Sequence, residues 1–323
     1  MCSIKIIKVK PNKPKLLVVL GPTAVGKSAV GIDIAKRLGG EIINADSLQV
    51  YKHLNIGTAK PSSQELHEVK HHLIDIVNPD EDFNAGMFRS RAASVIENLY
   101  HTNTNTNTIL VGGTYLYVKV LLSGLIEGLP ANQEIRDNIK KLRSIFGLPY
   151  VYDRLRSLDP EAASKIHPND YVRIERALEV NYLTGQKMSE LQSLHGFENQ
   201  DFEYLKIGLS QDREPLRERI DNRVDIMIED GLIDEVKRLR EMGYTSNLKP
   251  MQSIGYKEIN QFLDGDIDFD RAVELIKRDT KRFAKRQMTW LNKDMEIKWF
   301  EPDSDNEQIL NLAGKFFEGH HEE

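Results

Sequence analysis

The chain has 323 residues and a net charge of −5, so binding to polyanions through overall charge is excluded and any nucleic-acid affinity must come from local basic patches. Hydrophobic residues at 40% and charged residues at 29% describe a soluble globular protein, long enough for two domains or one with an insertion. The single cysteine, Cys2, excludes an internal disulfide framework and a cysteine-based zinc site; no apolar run reaches membrane-spanning length and residues 1–15 lack a signal-peptide core, so the expectation is a cytoplasmic protein with no membrane partner.

The first predicted element is a strand over 16–20, followed by Gly21-Pro22-Thr23-Ala24-Val25-Gly26-Lys27-Ser28 and an amphipathic helix over 29–38. Strand, glycine loop and helix in that order form the P-loop pattern in its required context, a motif shared with ATP- and other nucleotide-binding proteins. The glycines let backbone N–H groups face phosphate oxygens, and the helix adds its positive dipole end. Lys27 is expected at the terminal phosphate, and Ser28 is expected to offer its hydroxyl to Mg²⁺. Gly39-Gly40 stops the helix, and a second buried strand over 41–45 delivers Asp46 at its carboxyl end. Ligands of parallel α/β sheets sit beyond the carboxyl ends of the strands, which sets Asp46 and the P-loop on one crevice. Two readings of Asp46 stand, a turn residue and a site carboxylate, and spacing alone favours the turn.

A loop over 55–61 precedes a third predicted strand, 71–76, in which Asp75 reads either as a Walker-B-type metal ligand or as a polar anchor beside His71 and His72. The two histidines lack a third ligand at metal spacing. A helix over 85–100 leads to the polar repeat HTNTNTNT (101–108), expected to be a solvated loop tip, and then to a strand over 109–111. Gly112-Gly113-Thr114 is a second glycine turn opening a helix on the ligand edge.

After Leu122 the character changes. Residues 132–193 are charge-rich and mostly helical, with a turn at 166–170, Asp170 as N-cap and a helix over 171–183. Arg173 and Arg176 share one face of it, as solvated surface or as phosphate contacts. Residues 125–194 are therefore expected to form a helical insertion in a core made of 1–124 and 195–323. A strand over 204–209 returns, then a helix on Leu216, Ile220, Val224 and Met227 whose other face carries Arg219 and Arg223, suited to clasp a diphosphate or to pair with nearby acids. Over 272–291, Lys277, Lys281 and Lys285 run beside Arg278, Arg282 and Arg286, opposite a mostly apolar stripe of Val273, Ile276, Thr280, Phe283, Gln287 and Trp290. Such a stripe is either a solvated face or a phosphate-backbone contact, and in a chain of net negative charge the second is favoured. The predicted class is α/β: a P-loop NTPase-like parallel sheet flanked by helices, with a helical insertion domain.

Taken together, GPTAVGKS, ADSLQVY (45–51), NIGTAKP (55–61), HHLID (71–75), VGGTYLY (111–117), IHPND (166–170), RALEV (176–180), MQSIGYKE (251–258) and AKRQMTWL (284–291) closely resemble the bacterial tRNA dimethylallyltransferases, from Gly21 to about Phe300. The resemblance implies that the P-loop holds the diphosphate of dimethylallyl diphosphate rather than ATP. It implies donor binding by Thr23, Ala24, Val25, Gly26, Lys27 and Ser28, and the reading of the residues adds Gly21, Pro22 and Arg223, with Mg²⁺ on Ser28. It makes Asp46 the base for the adenine N6, with Thr23 and Lys27 beside the chemistry. Contacts to the tRNA anticodon arm map onto Asp46, Ser47, Leu48, Gln49, Thr114, Arg136, Val172, Arg173, Arg176, Gln252 to Lys257, and the 285–292 segment with Lys285, Arg286 and Gln287; Lys281 joins them from the basic stripe. The implied reaction prenylates adenosine 37, in tRNAs reading codons that begin with U, and releases diphosphate; a monomer is expected. Tyr115 stands where relatives carry glycine, and Val172 where they carry glutamine, both at RNA contacts. The competing readings are a P-loop small-molecule kinase using ATP, for which no arginine-rich lid is evident, and an RNA-binding module with the P-loop as a switch.

Overall fold

Leu16 to Leu20 are wholly buried; an apolar run without alternation is what a strand covered on both faces requires. The computed structural model describes residues 13–102, 106–126, 129–196 and 201–319. Among them, six strands form one sheet: β1 (Lys15–Leu20), β2 (Gly40–Asn44), β3 (His71–His72), β4 (Asn107–Val111), β5 (Glu203–Leu209) and β6 (Ile297–Phe300), in the order β3-β2-β4-β1-β5-β6. Every pairing is parallel, and the register sets Val19 and Asn44 on either side of Val111, and Leu20 beside Gly208. The loops after β1, β2 and β4 therefore emerge level, side by side. The Ala45 N–H donates to the Val111 carbonyl (2.8 Å), the Gly112 N–H to Val19 (3.2 Å) and the Thr114 N–H to Ala45 (3.2 Å). A Cβ at Gly112 would lie 2.2 Å from the Ala45 carbonyl oxygen, so only glycine allows this approach.

Alternate strand residues feed two apolar layers, as the period of a strand dictates. Leu16, Val18, Leu20 and Ile43 join the layer holding Phe88, Tyr117, Val224, Tyr256 and Ile276, while Leu17, Val19, Ile42 and Ile207 join that of Ile34, Ala35, Ile309 and Ala313. The helices of this α/β unit are α1 (Lys27–Leu38), α2 (Ser63–Glu68), α3 (Ala85–His101) and α4 (Tyr115–Ser123), then, beyond the insertion, five more described below. α1 ends as the sequence suggests, on Gly39 in the left-handed conformation.

The described residues of 123–199 form a separate compact unit, those of 1–122 and 200–323 the other. The former is all helix: α5 (Gln133–Leu158), α6 (Pro160–Lys165), α7 (Tyr171–Thr184) and α8 (Met188–His195). Gly147, at φ 82°, kinks α5 just ahead of Pro149. Ile139, Val151, Leu155, Ile174 and Leu178 make its core. Buried Glu179 is held by Arg136 (2.8 and 3.0 Å) and Arg176 (2.6 Å). Burial pushes its carboxyl up, but these hydrogen bonds outweigh that and leave it below the ordinary value. The α/β unit resumes with β5 and continues through α9 (Arg213–Glu229), α10 (Leu232–Glu241), α11 (Tyr256–Leu263), α12 (Phe269–Leu291), β6 and α13 (Asn306–Glu318).

The parallel sheet flanked by helices is the predicted class, with local differences. The third strand is only His71–His72, because Leu73 and Asp75 take left-handed φ values of 63° and 56° that no strand sustains. The polar repeat is not simply a loop tip: His101 closes α3, and Asn107 and Thr108 begin β4, with Thr108 buried. Residues 103–105 of the repeat, and 1–12 of the expected N-terminal tail, lie outside the described residues. β6, α10 and α13 are additions that the sequence reading does not contain.

Candidate active site

The P-loop wraps through two left-handed residues, Ala24 (φ 65°) and Gly26 (φ 104°), and Lys27 opens α1. A non-glycine residue there is strained, a common feature of functional loops. A cavity of about 450 Å³ lies over the loop, with Thr23, Lys27, Ser28, Asp46 and Arg223 in its wall. The Lys27 Nζ donates to the Pro22 carbonyl at 2.7 Å. A second cavity of about 540 Å³ shares Lys60 and Arg223 with the first.

The turn reading of Asp46 is the one its hydrogen bonds display, and the same residue lines the cavity. Its Oδ1 accepts the N–H groups of Leu48 (2.8 Å) and Gln49 (3.2 Å), the turn role. No hydrogen bond among the described residues engages Oδ2, and the residue lines the same cavity as the P-loop. Ser47 donates its N–H to the Thr114 Oγ1 (3.0 Å), so the β2 and β4 loops are tied immediately beside Asp46. The buried Gln49 gives its amide N–H groups to the carbonyls of Thr58 (3.0 Å) and Ala59 (3.1 Å).

The electrostatics favour an anion. Burial and the neighbouring Arg223 push the Lys27 ammonium down to about 8, against a smaller opposing pull from Asp46. Arg223 is pushed down from its ordinary value by burial, again opposed by Asp46. The two arginines that one helix face brings together have different fates: Arg219 pairs with Asp303, whereas Arg223 has no ion pair among the described residues. Two cations desolvated against one carboxylate gain most from a multiply charged oxyanion.

The loop over 55–61 is fixed by a residue that sequence reasoning missed. Buried Glu235 of α10 accepts the N–H groups of Asn55 (3.0 Å), Ile56 (2.8 Å) and Gly57 (3.2 Å) and the hydroxyl of buried Tyr256 (2.6 Å). Nothing local signals it, since 180 residues separate Asn55 from Glu235. Asp75 is not a buried anchor: it is exposed, outside the lining of the P-loop cavity, and ion-paired with Lys60 at 2.6 Å. Burial pushes the Lys60 ammonium down in spite of that pair.

α12 divides its charges. Lys277 and Lys281 pair with Asp225 and Asp221 of α9 (2.6 Å each), and Arg278 and Arg282 with Asp279. Lys285 and Arg286 are exposed without an ion pair among the described residues. The apolar stripe also differs from expectation. The face that packs inward is Ala272, Ile276, Ala284, Gln287 and Leu291, while Phe283 and Trp290 are exposed, Arg286 lying 5.9 Å from the Phe283 ring centre. Exposed aromatics among unpaired cations suit single-stranded nucleic acid. Gln287 faces inward: its Oε1 accepts the Thr23 N–H (2.8 Å) and its Nε2 donates to the Gly113 carbonyl (2.9 Å). Of the 252–257 segment, Gln252 and Lys257 are exposed and Tyr256 is buried. Tyr115 donates its hydroxyl to Asp294 (3.1 Å), and burial with that neighbour pushes it up to about 12. In the helical unit, Val172 is among the most exposed apolar residues, Arg173 pairs with Asp170, and Arg136 and Arg176 bind Glu179.

The donor set fits Mg²⁺ held in its usual manner. Ser28 presents an exposed hydroxyl at the cavity, and no cluster of three His, Cys, Asp or Glu exists among the described residues to build an all-protein cage. Mg²⁺ commonly takes one or two protein oxygens, substrate phosphates and water.

A family model described as IPP transferase matches residues 49–294. The chain is 48% identical over 308 residues to tRNA dimethylallyltransferase 2 of Syntrophus aciditrophicus, covering 95% of this chain and 98% of the relative. It is 47% identical over 306 residues to the protein of the same name from Geotalea uraniireducens, with coverage of 95% and 98%. Among solved structures it is similar to a full-length tRNA isopentenylpyrophosphate transferase from Bacillus halodurans, with a TM-score of 0.70, 37% identity and coverage of 95% and 98%. It is also similar to a eukaryotic dimethylallyltransferase acting on tRNA, with a TM-score of 0.82, 30% identity and coverage of 95% of this chain and 80% of that one.

Proposed function

The chain belongs to the IPP transferase family of tRNA dimethylallyltransferases, and on that premise we propose that it transfers the dimethylallyl group of dimethylallyl diphosphate to N6 of adenosine 37 in tRNAs reading codons that begin with U. One observation carries the reading: Asp46, whose Oδ2 has no hydrogen bond among the described residues, borders the same cavity as Lys27, Arg223 and the P-loop. A base and a diphosphate cradle on one cavity are what this substitution needs. The relatives' names turn the reading away from an ATP-dependent kinase.

An exocyclic adenine amine is a weak nucleophile because its lone pair is delocalised into the ring. The allylic carbon compensates by gaining cation character as its bond to the diphosphate oxygen lengthens. That bond breaks, the N6–C1 bond forms, the N6 proton passes to Asp46, and diphosphate leaves. The chain's part is to stabilise the negative charge on the leaving group, through P-loop N–H groups, Lys27 and Arg223, with Thr23 in the same wall. Mg²⁺, held by Ser28 and the diphosphate, would neutralise part of that charge. Asp46, positioned by its own turn, accepts the proton as the new bond acidifies it. The adenosine must leave its stack, and a loop base costs less to extrude than a paired one. Phe283, Lys285 and Arg286 of α12, with Gln252 and Lys257, form the RNA face, and the helical unit adds Val172 and Arg173 for the anticodon arm. The working form is a monomer.

Asp46→Asn keeps the shape but loses the charge and the proton affinity. In single-turnover assays on an anticodon stem-loop its rate is expected to fall about 10²–10⁴-fold with binding of both substrates nearly unchanged. A rate within a few-fold of the parent would leave Asp46 as a turn residue only.

A further inference from the structure

Gln287 is a polar side chain buried on the apolar face of α12, flanked by Ala284 and Leu291. Its amide is used at both ends, on loops 264 and 174 residues away in sequence. The Thr23 N–H donated to it belongs to the P-loop turn, so this amide is held by the helix rather than left to face a phosphate. The Gly113 carbonyl at the other end belongs to the turn whose next residue, Thr114, accepts the N–H of Ser47, directly after Asp46. One amide thus spans from the diphosphate side of the cavity to the segment tied to the base. The space is made for it: a Cβ at Gly113 would lie 2.4 Å from the Gln287 Nε2, and the Lys27 Nζ is 3.6 Å from that same point. The amide accepts on one side and donates on the other; an ionised carboxylate only accepts, and a thioether is at most a weak acceptor. Lys285 and Arg286, two positions and one position earlier, are on the exposed side of the same helical turn.

We propose that Gln287 is a positioning residue, which sets the register between the P-loop and the Asp46 segment from the helix that presents Lys285 and Arg286 to RNA. This rests on the prenyl-transfer reading above and goes beyond it in giving the RNA-facing helix a part in the geometry of the chemical step. RNA seated on that helix then bears on the same turn that holds the Thr23 amide. Gln287 itself touches no substrate.

The test compares the parent with Gln287→Met, which keeps length and removes both hydrogen bonds, and with Gly113→Ala, which displaces the amide from the opposite end. Single-turnover rate constants on a saturating anticodon stem-loop are independent of the folded fraction, so a purely structural loss does not move them. Both variants are expected to lower that constant by about 10²-fold, the scale of a small misplacement remote from the reacting atoms, with stem-loop affinity changed less than about twofold. Gln287→Glu, keeping the acceptor for Thr23 but opposing the Gly113 carbonyl, should fall between. A rate constant within about threefold of the parent, or a loss matched by weaker stem-loop binding at unchanged saturated rate, overturns the proposal. Inorganic diphosphate with Mg²⁺ is the second probe, and its affinity should drop several-fold in Gln287→Met. A parent that releases no diphosphate from the donor refutes prenyl transfer instead, and the diphosphate comparison alone then decides the role of Gln287.

Discussion

Lys27 titrates where its role can be read directly. Burial and Arg223 bring its ammonium down to about 8 from 10.5, so the free protein loses this charge as pH rises through 8, not before. At pH 7 about nine-tenths of the molecules carry the charge and at pH 9 about one-tenth, so kcat/KM for dimethylallyl diphosphate should fall about tenfold between them. The bound diphosphate restores the charge, so the corresponding limb of kcat should lie at higher pH than that of kcat/KM. The assay follows prenyl transfer to a saturating stem-loop from about pH 6.5 to 9.5 at constant ionic strength, in the parent and in Lys27→Arg. A guanidinium does not titrate in this range, so Lys27→Arg should lose the limb whatever its absolute rate. A parent profile flat to pH 9.5, or a limb at pH 8 that survives in Lys27→Arg, refutes the assignment.

Glu235→Ala removes the acceptor of three backbone N–H groups and of Tyr256, each orphaned donor costing about 1–3 kcal/mol, so urea unfolding should show a loss of at least about 3 kcal/mol. Glu235→Gln should lose less, and equal loss in both would discount the hydrogen bonds. Lys285→Gln should flatten the log–log salt dependence of tRNA binding by roughly 0.7–0.9, whereas Lys281→Gln, already paired with Asp221, should leave it nearly unchanged. Equal slopes for the two variants would dissolve this division of the basic helix.

Much of the fold was legible because the strands are short continuous apolar runs bounded by glycines. Leu16–Leu20 and Ile109–Val111 need no partner to be recognised, and the P-loop announces the ligand edge by itself. β6 was not legible: Ile297-Lys298-Trp299-Phe300 is four residues with a charge, and it is a strand only because β5 offers an edge to pair with. The basic stripe was legible as a stripe but not as two kinds of lysine, since the carboxylates that engage Lys277 and Lys281 are 52 and 60 residues away. Asp46 posed a choice between turn and site: its Oδ1 takes the turn role, and Oδ2, without a hydrogen bond among the described residues, leaves the proposed role as base open to test. Gln287 left a signal, a polar residue at helical spacing on an apolar face, yet its partners Thr23 and Gly113 meet only in the folded chain.

The measurement that bears most directly on the central claim is the identity of the products. With an anticodon stem-loop carrying adenosine 37 and labelled dimethylallyl diphosphate, the account predicts label on N6 of that adenosine and one diphosphate released per transfer, with ATP neither consumed nor required. ADP released from ATP onto a small acceptor, or intact donor after prolonged incubation with the stem-loop, would contradict it.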